Sequence, residues 1–277
     1  MHSASCCNHG IALPEALDQY ISAPRMKTYL DWAANDLAVA RALYVWNRDI
    51  SAAIMADIAV VEVAMRNAMA TKLAQQWGDR WYADGPMLDK RTGKLLEEAW
   101  ERIPKAQKEN LKTNRAVTGR LIANLMFGFW ANLLDAGGSS GLPAPRDYAD
   151  HGVLWEPALK KAFKGARAEA RKVGAGFDRQ WVHAQVKEVN DLRNRVAHHE
   201  SLVNGYPLAG QNGVRRTAAQ GHEACLRLAR MIDRDLAQWL IATSSVPTLL
   251  KLKPSIDDPH PVPPCSTPPK QAGEQQH

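Results

Sequence analysis

Ile54, Ile58, Val61, Met65, Met69 and Leu73 follow one another at intervals of three or four residues, the spacing that lines up side chains on one face of an α-helix. The run covers roughly 30 Å at about 1.5 Å per residue, so several other helices must pack along it to bury it. A strand would need alternation with period two, and no convincing run of that kind occurs anywhere in the chain. The same helical spacing predicts a helix after Pro24, one over Asp36 to Trp46, the long one after Ser51, and others over Thr92 to Pro104, Thr113 to Leu134, Glu156 to Val173, Asp178 to His199 and Thr217 to Thr243. Gly137 to Gly141 stops the fifth of these, and Gly174-Ala175-Gly176 separates the sixth from the seventh. From Leu121 the fifth is apolar on nearly every side, which suits a central element of a bundle. The expected architecture is all-α, a single helical-bundle domain.

That domain is expected over residues 24–253. Residues 1–23 carry little pattern and read as an arm with little structure. From Pro254 the chain runs Pro-Ser-Ile-Asp-Asp-Pro-His-Pro-Val-Pro-Pro, which supports neither a helix nor a core, so 254–277 reads as a disordered Pro-rich tail. With 45% hydrophobic and 23% charged residues, the rest has the balance of a soluble globular protein. No apolar run approaches about 18 residues without a charge, and no basic flank precedes an apolar segment at the N-terminus, so neither a membrane span nor a secretory signal is expected. Cys6, Cys7, Cys225 and Cys265 form neither a C-x2-C pair nor a disulfide spacing. Free thiols and a cytoplasmic location follow as expectations.

A formal charge of +6 and a pI near 9.2 favour polyanionic partners or simple solubility. The excess is concentrated in two tracts. Lys90, Arg91, Lys94, Arg102, Lys105, Lys108, Lys112, Arg115 and Arg120 make the first, and Lys160 to Arg179 holds the second. Each reads either as a solvated helical face or as a groove that tracks phosphates. Nine tryptophans are expected mostly in the core, with one or two exposed and able to stack on bases.

Near the end of the seventh helix the chain reads Leu192-Arg193-Asn194-Arg195-Val196-Ala197-His198-His199-Glu200. An arginine, an adjacent amide and an imidazole five positions on are suited to holding a phosphodiester and moving a proton beside it. The bland alternatives are an ion pair of Arg193 with Asp191 or Glu188, and a C-terminal cap made by His198 and His199. Five helical steps rotate about 500°, leaving Arg193 and His198 about 140° apart on a regular helix. Convergence therefore needs the helix to loosen after Ala197, or residues from two copies of the chain. No Gly-rich phosphate loop, serine-nucleophile elbow or metal-ligand spacing is present, so no cofactor and no metal site are expected.

The string Arg193-Asn194 followed by His198 resembles the R-x4-6-H motif of the HEPN ribonuclease superfamily, and the longer segment is similar to its Abi-like (abortive infection) branch. Leu43-Tyr44-Val45-Trp46-Asn47, Glu62-Val63-Ala64-Met65-Arg66-Asn67 and Phe127-Gly128-Phe129-Trp130 resemble further blocks of that family, so the likeness covers about Arg25 to Ala242. It implies a HEPN-type bundle, a homodimer with a shared site, and a metal-independent endoribonuclease of phage defence or toxin type. Arg193 would hold the scissile phosphate, His198 would take the proton of a ribose 2′-hydroxyl, and Asn194 would orient a phosphate oxygen or the imidazole. His199 is the alternative base, or the acid for the leaving oxygen. Glu62, Arg66 and Asn67 would lie on the helix facing this one, with Glu62 orienting Arg193 or a histidine, unless Glu62 and Arg66 are only an exposed i, i+4 pair. The substrate would be RNA, cut to 2′,3′-cyclic phosphate and 5′-hydroxyl ends, and the biology leaves room for an antitoxin or another defence-system partner. The other reading is a non-catalytic RNA-binding or protein-interaction module on the same helical scaffold.

Overall fold

A computed structural model describes residues 19–108, 115–208 and 213–255. Most of the expected N-terminal arm and Pro-rich tail, together with Cys6, Cys7, Cys265 and Lys112, lie outside the described residues. The chain divides into two compact units, one drawn from residues up to Arg48 and from Leu252 onward, the other from Asp49 to Lys251.

In the first unit, helix α1 (Ala23–Trp32) has proline at its start, where the missing N–H is no loss, and buries Met26 and Tyr29. The Tyr29 and Tyr44 rings meet edge to face with centroids 5.2 Å apart. The Lys253 ammonium lies 5.0 Å from the Trp32 ring and 5.4 Å from the Trp46 ring, a cation–π arrangement. Burial pushes its pKa down.

Helix α2 (Leu37–Trp77) begins in this unit and continues into the second. Sequence spacing divided it in two around Asn47 to Ser51, and the structure corrects that. Asn, Asp and Ser are weak helix formers rather than breakers, and Asn47 and Ser51 are both buried within the continuous helix. The stripe Ile54, Ile58, Val61, Met65, Met69 and Leu73 is wholly buried, each at 0% exposure.

The second unit continues through α3 (Trp81–Asp84), α4 (Lys90–Glu101), α5 (Lys105–Lys108), α6 (Arg115–Asn124) and α7 (Phe127–Asn132). Two antiparallel strands follow, β1 (Gly137–Ser139) and β2 (Tyr148–Asp150), then 3-10 turns at His151–Leu154 and Leu159–Ala162. Next come α8 (Ala166–Lys172), α9 (Arg179–Ala197), the two-residue strands β3 (Tyr206–Pro207) and β4 (Arg215–Arg216), α10 (Ala218–Ile232), α11 (Arg234–Thr243) and α12 (Val246–Lys251). Helix α9 packs on α7 and α10, and α10 also meets α8, α11 and α12. Asp178 caps α9 by accepting from the Trp181 N–H at 2.8 Å. Thr217 and Gln220 form a capping box on α10.

Three predicted helices are broken in the structure. The apolar segment of 113–134 parts at Leu125-Met126 into α6 and α7. Between Glu156 and Val173 only α8 is α-helical, because Gly165 lies against another element. Its N–H donates to the Met231 carbonyl at 2.9 Å, and a Cβ there would meet the Arg230 carbonyl oxygen at 2.1 Å. The last helix stops at Ile232 and restarts after Asp233, which leaves helical dihedrals (φ −156°, ψ 139°) and accepts from the Asp235 N–H at 2.8 Å. The two small ribbons, too short to show alternation, were not visible in the sequence. The described part of the chain is mostly helical, and no helix in it is long and apolar enough to cross a membrane.

Candidate functional site

Helix α9 turns Val182, Val186, Val189, Leu192 and Val196 into the core. This leaves Arg193 half-buried at the edge of that face and Asn194 exposed. The helix stays regular to its end, with the His198 N–H donating to the Asn194 carbonyl at 3.0 Å. The chain then reverses in a Schellman turn: the His199 N–H reaches the Val196 carbonyl at 3.0 Å and the Glu200 N–H reaches Arg195 at 2.9 Å. His199 occupies the left-handed position of that turn at φ +56°, where glycine is the usual occupant. His198 thus remains on the helical path, about 140° from Arg193 by the rotation of five residues. The sequence expectation that the helix loosens after Ala197 holds for His199 alone. Both histidines are exposed, and Arg195 turns aside to pair with Glu200.

Arg193 spends little of its guanidinium. One Nη atom donates to the Asn194 side-chain oxygen at 3.5 Å, the limit of a hydrogen bond. Its Nε is buried and has no partner. The nearby charge is Glu62 of α2, whose pKa is raised by burial even though Arg193, the Phe127 N–H and Arg66 all favour its ionised form. Neither Asp191 nor Glu188 is the partner of Arg193: Asp191 binds Lys187 at 2.8 Å, and Glu188 binds Arg216 at 3.1 Å and Arg227 at 3.2 Å.

The Glu62 neighbourhood explains the break between α6 and α7. Parting a helix frees carbonyls on one side and N–H groups on the other, and four of the freed groups meet side chains. Arg66 donates to the Ala123 carbonyl at 3.2 Å, Arg102 to Asn124 at 3.3 Å, and the Trp130 indole to Leu125 at 3.4 Å. Glu62 receives the Phe127 N–H. Arg66 also reaches the Asn67 side-chain oxygen at 3.5 Å, and Asn67 is exposed. Glu62 and Arg66 are therefore more than a surface pair, since both support the α6–α7 break beside Arg193. Sequence reasoning missed the Phe127 N–H, because no glycine or proline marks the break at Leu125-Met126.

Two other polar clusters are satisfied within themselves. The Ser244 hydroxyl donates to Asp57 at 2.6 Å, and His222 Nε2 lies 3.2 Å from that hydroxyl and 3.1 Å from the same Asp57 oxygen. With one imidazole nitrogen facing both groups and the serine O–H donating to the carboxylate rather than to the imidazole, the arrangement is not one that activates a nucleophile. His151, wholly buried, accepts the Asp89 N–H at Nε2 (3.2 Å), so its Nδ1 carries the proton and faces the Asn132 carbonyl at 2.8 Å and Asp135 at 3.2 Å. Arg91 clamps Asp89 and Asp135 together at 2.9 and 2.6 Å. Asp89, Arg91 and Asp135 border an open cavity of about 610 Å³. Among the described residues, no three His, Cys, Asp or Glu side chains are grouped as a metal site. No family model matches the chain, and comparison with curated proteins and with solved structures gave no match.

Proposed function

We propose that the chain is a HEPN-type, Abi-like endoribonuclease that cleaves RNA through the ribose 2′-hydroxyl, with Arg193 as the phosphate-binding group. The observation that carries this reading is the state of Arg193: a half-buried guanidinium whose Nε is buried without a partner, near the Glu62 carboxyl, whose pKa burial raises. A buried donor left unmatched costs about 1 to 3 kcal/mol, and a phosphate oxygen would satisfy it. As the 2′-oxygen attacks, negative charge gathers on the phosphoryl oxygens, where a fixed guanidinium stabilises it more than in the ground state. Glu62 attracts Arg193 through its charge, and Arg66 braces the α6–α7 backbone at the Ala123 carbonyl.

Proton transfer falls to the exposed imidazoles at the end of α9. Since His198 lies on a different helical face from Arg193, a site completed by a second copy is the reading we adopt for it, with Arg193 of one chain serving a phosphate beside His198 of the other. His199, released from the helix by its φ of +56°, is the alternative base or the acid for the leaving 5′-oxygen. Asn194 orients the phosphate. The reading of this chain as a non-catalytic RNA-binding or interaction module is supported by one observation, that the two histidines form a complete backbone cap.

The test is incubation of purified protein with end-labelled single-stranded RNA in EDTA. The expected products carry 2′,3′-cyclic phosphate and 5′-hydroxyl ends, and His198→Ala should reduce the rate by about 10² to 10⁴, the range of a general acid or base. Activity abolished by chelation and restored by Mg²⁺ or Mn²⁺ would overturn the mechanism.

A further inference from the structure

We propose that the solvent-open cavity between α4, α5 and α6 is a phosphate subsite, holding a second backbone phosphate of the RNA strand apart from the scissile one. The inference takes its ligand from the function proposed above, and the geometry of the cavity supplies the rest.

The cavity measures about 240 Å³ and is bordered by Arg102, Gln107, Arg120, Ala123 and Asn124. At about 30 Å³ per water, that is room for several waters and so for a phosphoryl group. Arg102 donates one Nη to the Asn124 carbonyl at 3.3 Å, which fixes the guanidinium and leaves the rest of its planar fork available. Arg120 is exposed. Among the described residues, neither arginine is in an ion pair with a carboxylate, because the nearby Glu98 and Glu101 are taken by Lys94 and Lys108.

The end of α6 would ordinarily repel an anion, because its last carbonyls carry the negative pole of the helix. Here Arg66 holds the Ala123 carbonyl and Arg102 holds that of Asn124, so the pole is covered by positive charge. The Gln107 carboxamide presents a buried oxygen that no donor reaches. Turned about its last torsion it presents its NH₂ instead, the donor a phosphate takes.

Shared contacts link the cavity to the proposed cleavage site. Arg66 bonds Ala123 in the cavity wall and neighbours Glu62, and Glu62 in turn neighbours Arg193. Arginines thus flank the α6–α7 break on both sides, an arrangement suited to two phosphates of a single strand.

The experiment measures binding of a short labelled single-stranded RNA, and of DNA of the same sequence, by fluorescence anisotropy across a salt series in the His198→Ala protein. Each phosphate neutralised on a single strand contributes about 0.7 to the slope of log K against log salt. Arg120→Gln should lower the slope by about that amount for RNA and DNA alike, since a phosphate contact does not sense the 2′-hydroxyl. Arg102→Gln, checked for folding by circular dichroism, should do the same. Lys251→Gln, which removes an exposed charge outside the cavity and outside both basic tracts, should leave the slope unchanged. An unchanged slope for Arg120→Gln, or an equal fall for Lys251→Gln, overturns the subsite. If the slope falls as expected but the wild-type protein cuts no RNA, the subsite stands and the cleavage reading fails.

Discussion

Arg193 and His199 are each held in a costly state, and their substitutions should have opposite consequences. Arg193 keeps a buried Nε without a partner beside Glu62. Removing it should lower cleavage by about 10² to 10³, the usual effect of losing one preorganised charge-stabilising donor. Its melting temperature should fall little, because the side chain contributes no strong hydrogen bond to the fold. A collapse of the melting curve for Arg193→Ala would make the residue structural. His199, at φ +56°, bears the strain that a Cβ meets in the left-handed region, about 1 kcal/mol or somewhat more. His199→Gly should therefore stabilise the protein by roughly 1 kcal/mol, and denaturant melts showing a loss would contradict the Schellman turn. Comparing its cleavage rate with that of His198→Ala then decides which imidazole moves the proton.

At the scale of elements, the informative places are where helices stop. The α6–α7 break is supported by Glu62, Arg66, Arg102 and Trp130. Glu62→Ala should strand the Phe127 N–H and cost about 1 to 3 kcal/mol. Glu62→Gln keeps an acceptor for that N–H, so it should cost less while still loosening Arg193. Equal stability losses in the two variants would argue against the Phe127 contact. Gly165 separates α8 from the 3-10 turn before it because the Arg230 backbone approaches closely. Gly165→Ala should destabilise by at least about 1 to 3 kcal/mol, the typical effect of forcing extra volume into a packed contact, and calorimetry showing no change would contradict that approach.

At the scale of the molecule, stability should follow pH through groups shifted in opposite directions. Asp89 and Glu169 are buried, which alone would raise them, yet hydrogen bonds outweigh burial, from Thr92 and Arg91 in one case and from Lys172 and Arg230 in the other. Both carboxyls lie below the usual range, so the stability they add is present above their unfolded values and lost as pH falls through the folded ones. Glu62 is raised above its ordinary 4.5, so its contribution falls as pH climbs from there through the folded value. Thermal melts between about pH 3 and 7 should show a shallower acid loss for Asp89→Asn and Glu169→Gln, and a smaller decline on the rising side for Glu62→Gln. The proposed shared site has its own test. In equal mixtures of Arg193→Ala and His198→Ala chains, random pairing makes half the dimers mixed, each with one complete site, so activity should recover to about a quarter of wild type. A fully active monomer by sedimentation would refute the shared site.

The sequence by itself determined which residues of the long helix face inward and where strong caps begin a helix. The stripe from Ile54 to Leu73 is buried as its spacing requires, and Asp178 and Thr217 start α9 and α10 as their side chains allow. Those features are local, fixed by a 3.6-residue period and by side chains that bond the backbone within three residues. The reactive residue types of the proposed site were also legible, as arginine, amide and imidazole at the end of one helix. Only the tertiary structure decided the rest. It merged two predicted helices into α2, broke three others, and brought Glu62 beside Arg193 and the freed Phe127 N–H. A helix can part in an apolar segment without glycine or proline only when side chains from elsewhere satisfy the exposed backbone. Three of those partners, Glu62, Arg66 and Arg102, lie far along the chain, where no local pattern points to them.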